Sequence, residues 1–207
     1  MPIPRRIIAG MKDDKLLARD ISRLQKAISS KLEVKTDHPS LIVLVGLPGS
    51  GKSYFAAKLT EKIPAVVLES DFLRKTLVRR PAYSQFESCR LFRAIHDLTG
   101  ELLFKGYNVI IDATNLSEDS RRRLRIIAAE TGAKMIVVHL NIPRVGAKER
   151  LFSRALNRDG YSDADWAVYQ KLEPGFEPII GPHCEVIDAI DILPVIDKIV
   201  SDISWNM

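Results

Sequence analysis

Leu41-Ile42-Val43-Leu44-Val45-Gly46-Leu47-Pro48-Gly49-Ser50-Gly51-Lys52-Ser53 is the stretch that decides the fold. Its five leading apolar residues read as a strand buried on both faces. The eight that follow match G-x-x-x-x-G-K-[ST]. In that pattern glycines let backbone N–H groups curl around a phosphate without Cβ clashes. Lys52 offers a point charge to the β- and γ-phosphates, and the Ser53 hydroxyl is a ligand for Mg²⁺. A helix opening at Lys52 adds its positive dipole end. Gly46, Leu47, Pro48, Gly49, Ser50, Gly51, Lys52, Ser53 and the adjoining Tyr54 are therefore the candidate nucleotide-binding residues, with ATP and Mg²⁺ as the expected cofactors. The alternative is a glycine-rich turn with no ligand.

Outward from this loop, short apolar runs alternate with helical stretches. The runs are 65–69, 108–111, 134–140 and, more weakly, 184–188; the helices fall near 52–62, 84–105, 118–131, 145–157, 163–171 and 191–202. Strands that are nearly continuously apolar belong to a parallel sheet covered on both faces. The expected fold class is three-layer α/β/α with a mostly parallel five-stranded sheet. Residues 1–38 differ from the rest. Leu17, Ile21, Leu24 and Ile28 form one apolar face on a helix expected over 12–34, with Asp13 and Asp14 near its start and a stop at Asp37-His38-Pro39. The chain thus divides into a helical extension, 1–38, and a main domain, 39–207. The apolar stripe either packs on that domain or serves a homodimer or partner contact.

Composition sets outer limits. The 207 residues are 46% hydrophobic and 28% charged, which excludes disorder and suits one globular core. Two cysteines, Cys89 and Cys184, exclude a disulfide scaffold and suit a reducing, cytoplasmic setting. The start MPIPRRIIAGMKDD lacks the apolar core of a signal peptide, and no run is long enough for a membrane span. A net charge of +5 permits an anionic partner without demanding one.

The fate of the triphosphate turns on a few other residues. Val109-Ile110-Ile111-Asp112 is a strand ending in an acid, so Asp112 is placed to hold Mg²⁺ through water or to cap the turn after it. Ala113 follows, and the lack of a second acid beside Asp112 counts against a hydrolytic motor. The strand at 65–69 delivers Asp71 to the carboxyl edge of the sheet, where ligands of open α/β sheets sit. Asp71 is a candidate general base, with Arg74 beside it as an acceptor or phosphate contact. Ser70 or Asp71 could equally be a helix cap. Arg150, Arg154 and Arg158 share one helix face, either solvated or closing over phosphates. Arg121, Arg122, Arg123 and Arg125 read as a solvent-facing cluster. His38, His96, His139 and His183 show no metal-ligand spacing, and Cys184 reads as packing.

VGLPGSGKS, ESDFLRKTL, GYNVIIDATNLSEDSRRRL and the spacing of Pro143, Arg150 and Arg154 together resemble the P-loop kinases related to polynucleotide kinases, zeta toxins and chloramphenicol phosphotransferase, and bacterial AAA-type ATP-binding proteins. The resemblance covers about residues 41 to 180. It implies that Asp71 is general base toward an acceptor hydroxyl, Arg74 an acceptor or phosphate contact, and Arg154, with Arg150 one turn earlier, the arginine of a helical lid. The segment Gly160-Tyr161-Ser162-Asp163-Ala164-Asp165-Trp166 looks like one found after the lid in that group, with Ser162 as a helix cap. The expected activity is phosphoryl transfer from ATP to a hydroxyl of a small molecule or nucleotide sugar. A 5′-hydroxyl polynucleotide kinase and a non-catalytic ATP-binding switch are the alternatives.

Overall fold

A computed structural model describes residues 5–32, 34–157, 162–187 and 192–204. One sheet runs through its centre, with β1 (Ser40–Val45), β2 (Val66–Glu69), β3 (Val109–Asp112), β4 (Lys134–Leu140) and β5 (Cys184–Val186). The strands are parallel, in the order β2-β3-β1-β4-β5. Alternation along β1 divides the core: Leu41, Val43 and Val45 are buried on one face, Ile42 and Leu44 on the other. Helices α1 (Arg5–Ile28), α3 (Ser70–Leu77), α4 (Gln85–Phe104) and α5 (Glu118–Thr131) cover the first face. Helices α2 (Lys52–Thr60) and α8 (Leu193–Ser204) cover the second. This is the expected three-layer arrangement. The remaining pair, α6 (Arg144–Asn157) and α7 (Trp166–Leu172), pack on each other through Ala147, Leu151, Tyr169 and Trp166.

Three local readings need correction. First, the extension is helical from Arg5 and stops at Ile28, short of residue 34, so residues 13 and 14 fall mid-helix. At its end the Ser29 hydroxyl donates to Lys26 O at 2.9 Å, an alternative backbone partner that favours the 3-10 turn Ser29–Lys31. Its apolar stripe packs on the main domain: Leu24 and Ile28 are fully buried, and Leu17 and Ile21 join them. The stripe suggested for a homodimer is thereby occupied. Arg90 of α4 grips the buried Asp20 with two bonds, and Arg23 donates to Thr76 O and Leu77 O, capping α3.

Second, α7 begins at Trp166, and its cap is Asp165, whose carboxylate accepts from Val168 N–H; Ser162 instead accepts from Ala164 N–H. Third, Arg121 is not on the solvent face with Arg122 and Arg123. It is fully buried and donates to the carbonyls of Asn115, Leu116, Glu177 and Pro178. Arg158, Gly160, Tyr161 and Asp188 lie outside the described residues. No helix among the described residues is long and apolar enough to cross a membrane.

Candidate active site

The phosphate loop joins β1 to α2 at the carboxyl edge of the sheet. Gly49 (φ +79°) and Gly51 (φ +94°) occupy the left-handed region, where glycine has no steric cost. At Gly49 a Cβ would also lie 2.7 Å from Ala147 O and 2.9 Å from Leu151 Cγ, so the lid helix α6 rests directly on the loop. The Leu47 side chain packs against the same α6–α7 cluster. Lys52 Nζ reaches back to Gly46 O at 2.9 Å and Leu47 O at 3.0 Å, holding the loop in a tight curve. Gly46 N–H donates to Thr114 O, which ties the loop to the turn after β3. Asn115 strengthens that tie: it adopts φ +46° and its side-chain amide donates to Leu44 O at 2.7 Å. Tyr54 is 55% exposed on the first turn of α2, beside Lys58 rather than inside the loop.

Around Lys52 the candidate acids converge. Asp112 is buried and accepts a hydrogen bond from Ser53. Burial pushes its carboxyl up, opposed by the Lys52 charge and the Ser53 bond. Lys52 responds in the opposite sense. Burial lowers it from 10.5 to about 8, while Asp112 and Asp71 hold it up and Arg154 lowers it further. Asp71, on the first turn of α3, therefore acts on Lys52 and Asp112 alike. Above the loop, Arg150 Nη1 stands 3.5 Å from Ser50 O, and Arg154 donates to Ala164 O. Lys52, Asp71, Asp112, Arg150 and Arg154 thus share one neighbourhood.

Arg74 does not sit as the sequence suggested, and one acid lies where the sequence showed none. Arg74 is buried in an ion pair with Glu87 at 2.7 Å, adds a longer contact to Ser88 at 3.4 Å, and lies under the Tyr83 ring. Its guanidinium builds the α3–α4 loop. The second acid beside Asp112 does exist, but it comes from the next strand: Glu69 of β2 is in register with Asp112, and both line one cavity of about 460 Å³ with Ser53. In parallel strands, residues in register face the same side. A neighbour across a ladder cannot be seen from a sequence that does not reveal strand order. Ser53 and Asp112 fit Mg²⁺, which takes few protein oxygens and completes its shell with phosphate and water. Among the described residues no group of three or more His, Cys, Asp or Glu forms a metal cluster. His139 of β4 is half-buried, stacked on Phe176 and 3.7 Å from Glu185 of the edge strand β5, a packing role.

A family model described as an AAA domain matches residues 41–179. The chain belongs to this AAA-domain family. Curated relatives of the AAA-domain chain are kinases by name. The human 6-phosphofructo-2-kinase/fructose-2,6-bisphosphatase 1 is 28% identical over 163 residues, which cover 70% of this chain and 34% of that protein. The L-seryl-tRNA(Sec) kinase of Methanococcus maripaludis is 33% identical over 109 residues, covering 50% of this chain and 41% of that protein. The chain thus spans well under half the length of either relative. Among solved structures, the Mycobacterium tuberculosis APS kinase CysC in complex with AMPPNP and APS superposes with a TM-score of 0.61 at 19% identity, covering 80% of this chain and 98% of that one. Kti12 of Chaetomium thermophilum in complex with ADP-AlF3 gives 0.62 at 22% identity, covering 79% and 98%. These likenesses place the AAA-domain chain in the P-loop kinase fold.

The Lys52 shift bears on nucleotide binding. A bound triphosphate would favour the ammonium form, so affinity for such a ligand would be full well below about pH 8 and would fall as pH rises through the free-protein value. Isothermal calorimetry at about pH 9, in two buffers of different ionisation enthalpy, should show proton uptake approaching one per ATP. Binding without proton uptake would contradict the shift. The sign for stability is opposite. Between about 8 and 10.5 the unfolded chain holds more protons on Lys52 than the folded one, so this lysine adds stability as pH rises.

Proposed function

We propose that this chain is an ATP-dependent phosphotransferase that moves the γ-phosphoryl group of ATP to a hydroxyl of a small molecule or nucleotide sugar. The observation that carries this reading is that the Asp71 charge acts on both Lys52 and Asp112, while α6, which carries Arg150 and Arg154, rests on the phosphate loop. A carboxylate there takes the acceptor proton as the acceptor oxygen attacks the γ-phosphorus. Lys52 holds the phosphates, and Arg150 and Arg154 stand where charge builds on the transferring group. Mg²⁺ on Ser53 and Asp112 would neutralise phosphate charge when bound. The kinase relatives support the same chemistry, and the free thiols of Cys89 and Cys184 agree with a cytoplasmic setting.

Glu69 favours a second reading. A carboxylate adjoining Asp112 suits activation of water, hence acceptor-free ATP hydrolysis by a nucleotide switch. One assay separates the readings: γ-labelled ATP and Mg²⁺ are offered with a cell extract split into nucleic-acid and small-molecule fractions. Label in the small-molecule fraction is the expected result. Label in the nucleic-acid fraction, located at a 5′ end after nuclease digestion, would instead identify a 5′-hydroxyl polynucleotide kinase. Label released only as free phosphate, and lost in Glu69→Gln, would establish the hydrolytic reading.

A further inference from the structure

Tyr83 holds a backbone conformation that aromatic residues avoid, with φ +52°. Such strain persists only where the surroundings fix it. Here the loop is held on both sides. Ala82 N–H donates to Glu87 at 2.9 Å, Arg74 pairs with the same carboxylate, and Ser84 caps α4 by accepting from Glu87 N–H. Between these points the Tyr83 ring lies 4.9 Å from the Arg74 guanidinium carbon, and its hydroxyl donates to Asp163 at 2.7 Å. The other oxygen of Asp163 accepts from Lys75 of α3 at 2.8 Å. Asp163 lies in the segment that follows the lid helix, one residue before the carbonyl that receives Arg154. One carboxylate therefore ties the lid side of the cleft to α3, the helix that carries Asp71. The Asp71 charge in turn reaches Tyr83.

We propose that Tyr83 and Asp163 are positioning residues that latch the segment after the lid onto α3, closing the acceptor side of the cleft over Asp71 so that an acceptor hydroxyl excludes water. This rests on the phosphotransferase reading. The Asp163 side chain is 51% exposed and that of Lys75 35%, so the contacts are weak enough to break on each turnover. A cleft that must admit an acceptor and release ADP needs that reversibility. The strain at Tyr83 then has a purpose, since it turns the ring and hydroxyl across the cleft. When the latch is open, water replaces the acceptor: its oxygen bonds to the γ-phosphorus, the bond to the β–γ bridging oxygen breaks, ADP leaves with that electron pair, and Asp71 takes the proton.

The test compares full-length wild type, Tyr83→Phe, Asp163→Asn and the double variant, each with AMP-PNP and Mg²⁺. Amide hydrogen exchange is followed in residues 78–84 and 162–166, and acceptor-free ATP hydrolysis is measured alongside. Tyr83→Phe keeps the ring on Arg74 and deletes only the hydroxyl, so the fold has no reason to fail. Each single variant should speed exchange in both segments, leave AMP-PNP affinity unchanged, and raise acceptor-free hydrolysis roughly three- to five-fold, the worth of one partly exposed charged hydrogen bond. The double variant should be no worse than Asp163→Asn alone, which also loses the Lys75 ion pair, because Tyr83→Phe then removes a bond already weakened. Exchange that rises only in the mutated segment, additive effects, or unchanged hydrolysis would overturn the latch. Coupled exchange in a wild type that transfers label to no acceptor would keep the latch and remove the phosphotransferase reading.

Discussion

Asp71→Asn lowers phosphoryl transfer roughly 10²–10⁴-fold, the usual worth of a positioned general base, and leaves neutral-pH nucleotide affinity unchanged. The substitution is nearly isosteric and sits on the first turn of α3, where Asp71 is half-buried, so the fold survives. Its charge also matters to Lys52. Asp71 is one of two acids that hold the lysine up against burial. Deleting that charge lowers the Lys52 value below about 8, and the fall in ATP affinity begins at lower pH. Transfer rate and the midpoint of the affinity profile therefore change in one variant, from one carboxylate. Rapid-quench transfer with γ-labelled ATP reads the first, and calorimetric titration across pH reads the second. A wild-type transfer rate in Asp71→Asn would remove the base assignment, whatever the titration shows.

What the sequence disclosed and what it hid follow from the range of the interactions involved. The strands were legible because residues such as Ile110 and Ile111 are buried on opposite faces, and a short run apolar on both faces suits a central parallel strand. The phosphate loop was legible because its chemistry is local: Gly46 to Ser53 form one curve. Glu69 was hidden because its neighbour Asp112 lies across a parallel pairing that strand order alone decides. Arg74 was misread for a related reason, since its partner Glu87 comes from the following helix, and an unpaired arginine near a phosphate site invites a ligand role. Arg121 differs from both. It precedes Leu124 by three residues and Ala128 by seven, which puts all three on the buried face of α5. The periodicity carried that signal, but the charge of the side chain argued against it.

Arg121→Met is the substitution expected to damage the fold most, by roughly 3–5 kcal/mol, the typical cost of leaving buried polar groups without their charged partner. The side chain is fully buried and its donors are all placed. Nη1 bonds Asn115 O and Leu116 O at 2.9 and 2.8 Å, Nη2 bonds Glu177 O and Pro178 O at 2.8 and 2.7 Å, and Nε bonds Glu118 at 3.0 Å. Methionine fills similar space but strands four carbonyls, while Glu118 keeps only its bond from Arg125. Lysine does little better, because three donors on one nitrogen cannot match a planar fork that serves two chain segments. For a chain of this size the loss corresponds to a fall in melting temperature of roughly 6–20 °C. The damage should also reach the nucleotide. Arg121 fixes Asn115 O, Asn115 fixes Leu44 O, and Gly46 hangs from Thr114 O, so one guanidinium anchors the turn that steadies the phosphate loop. Saturating AMP-PNP should recover less stability in Arg121→Met than in wild type, since ligand stabilisation scales with affinity for the folded state. Thermal unfolding with and without nucleotide measures both effects. A melting temperature within about 2 °C of wild type, well under the shift expected for a loss of several kcal/mol, would show that this buried network is not what holds the turn.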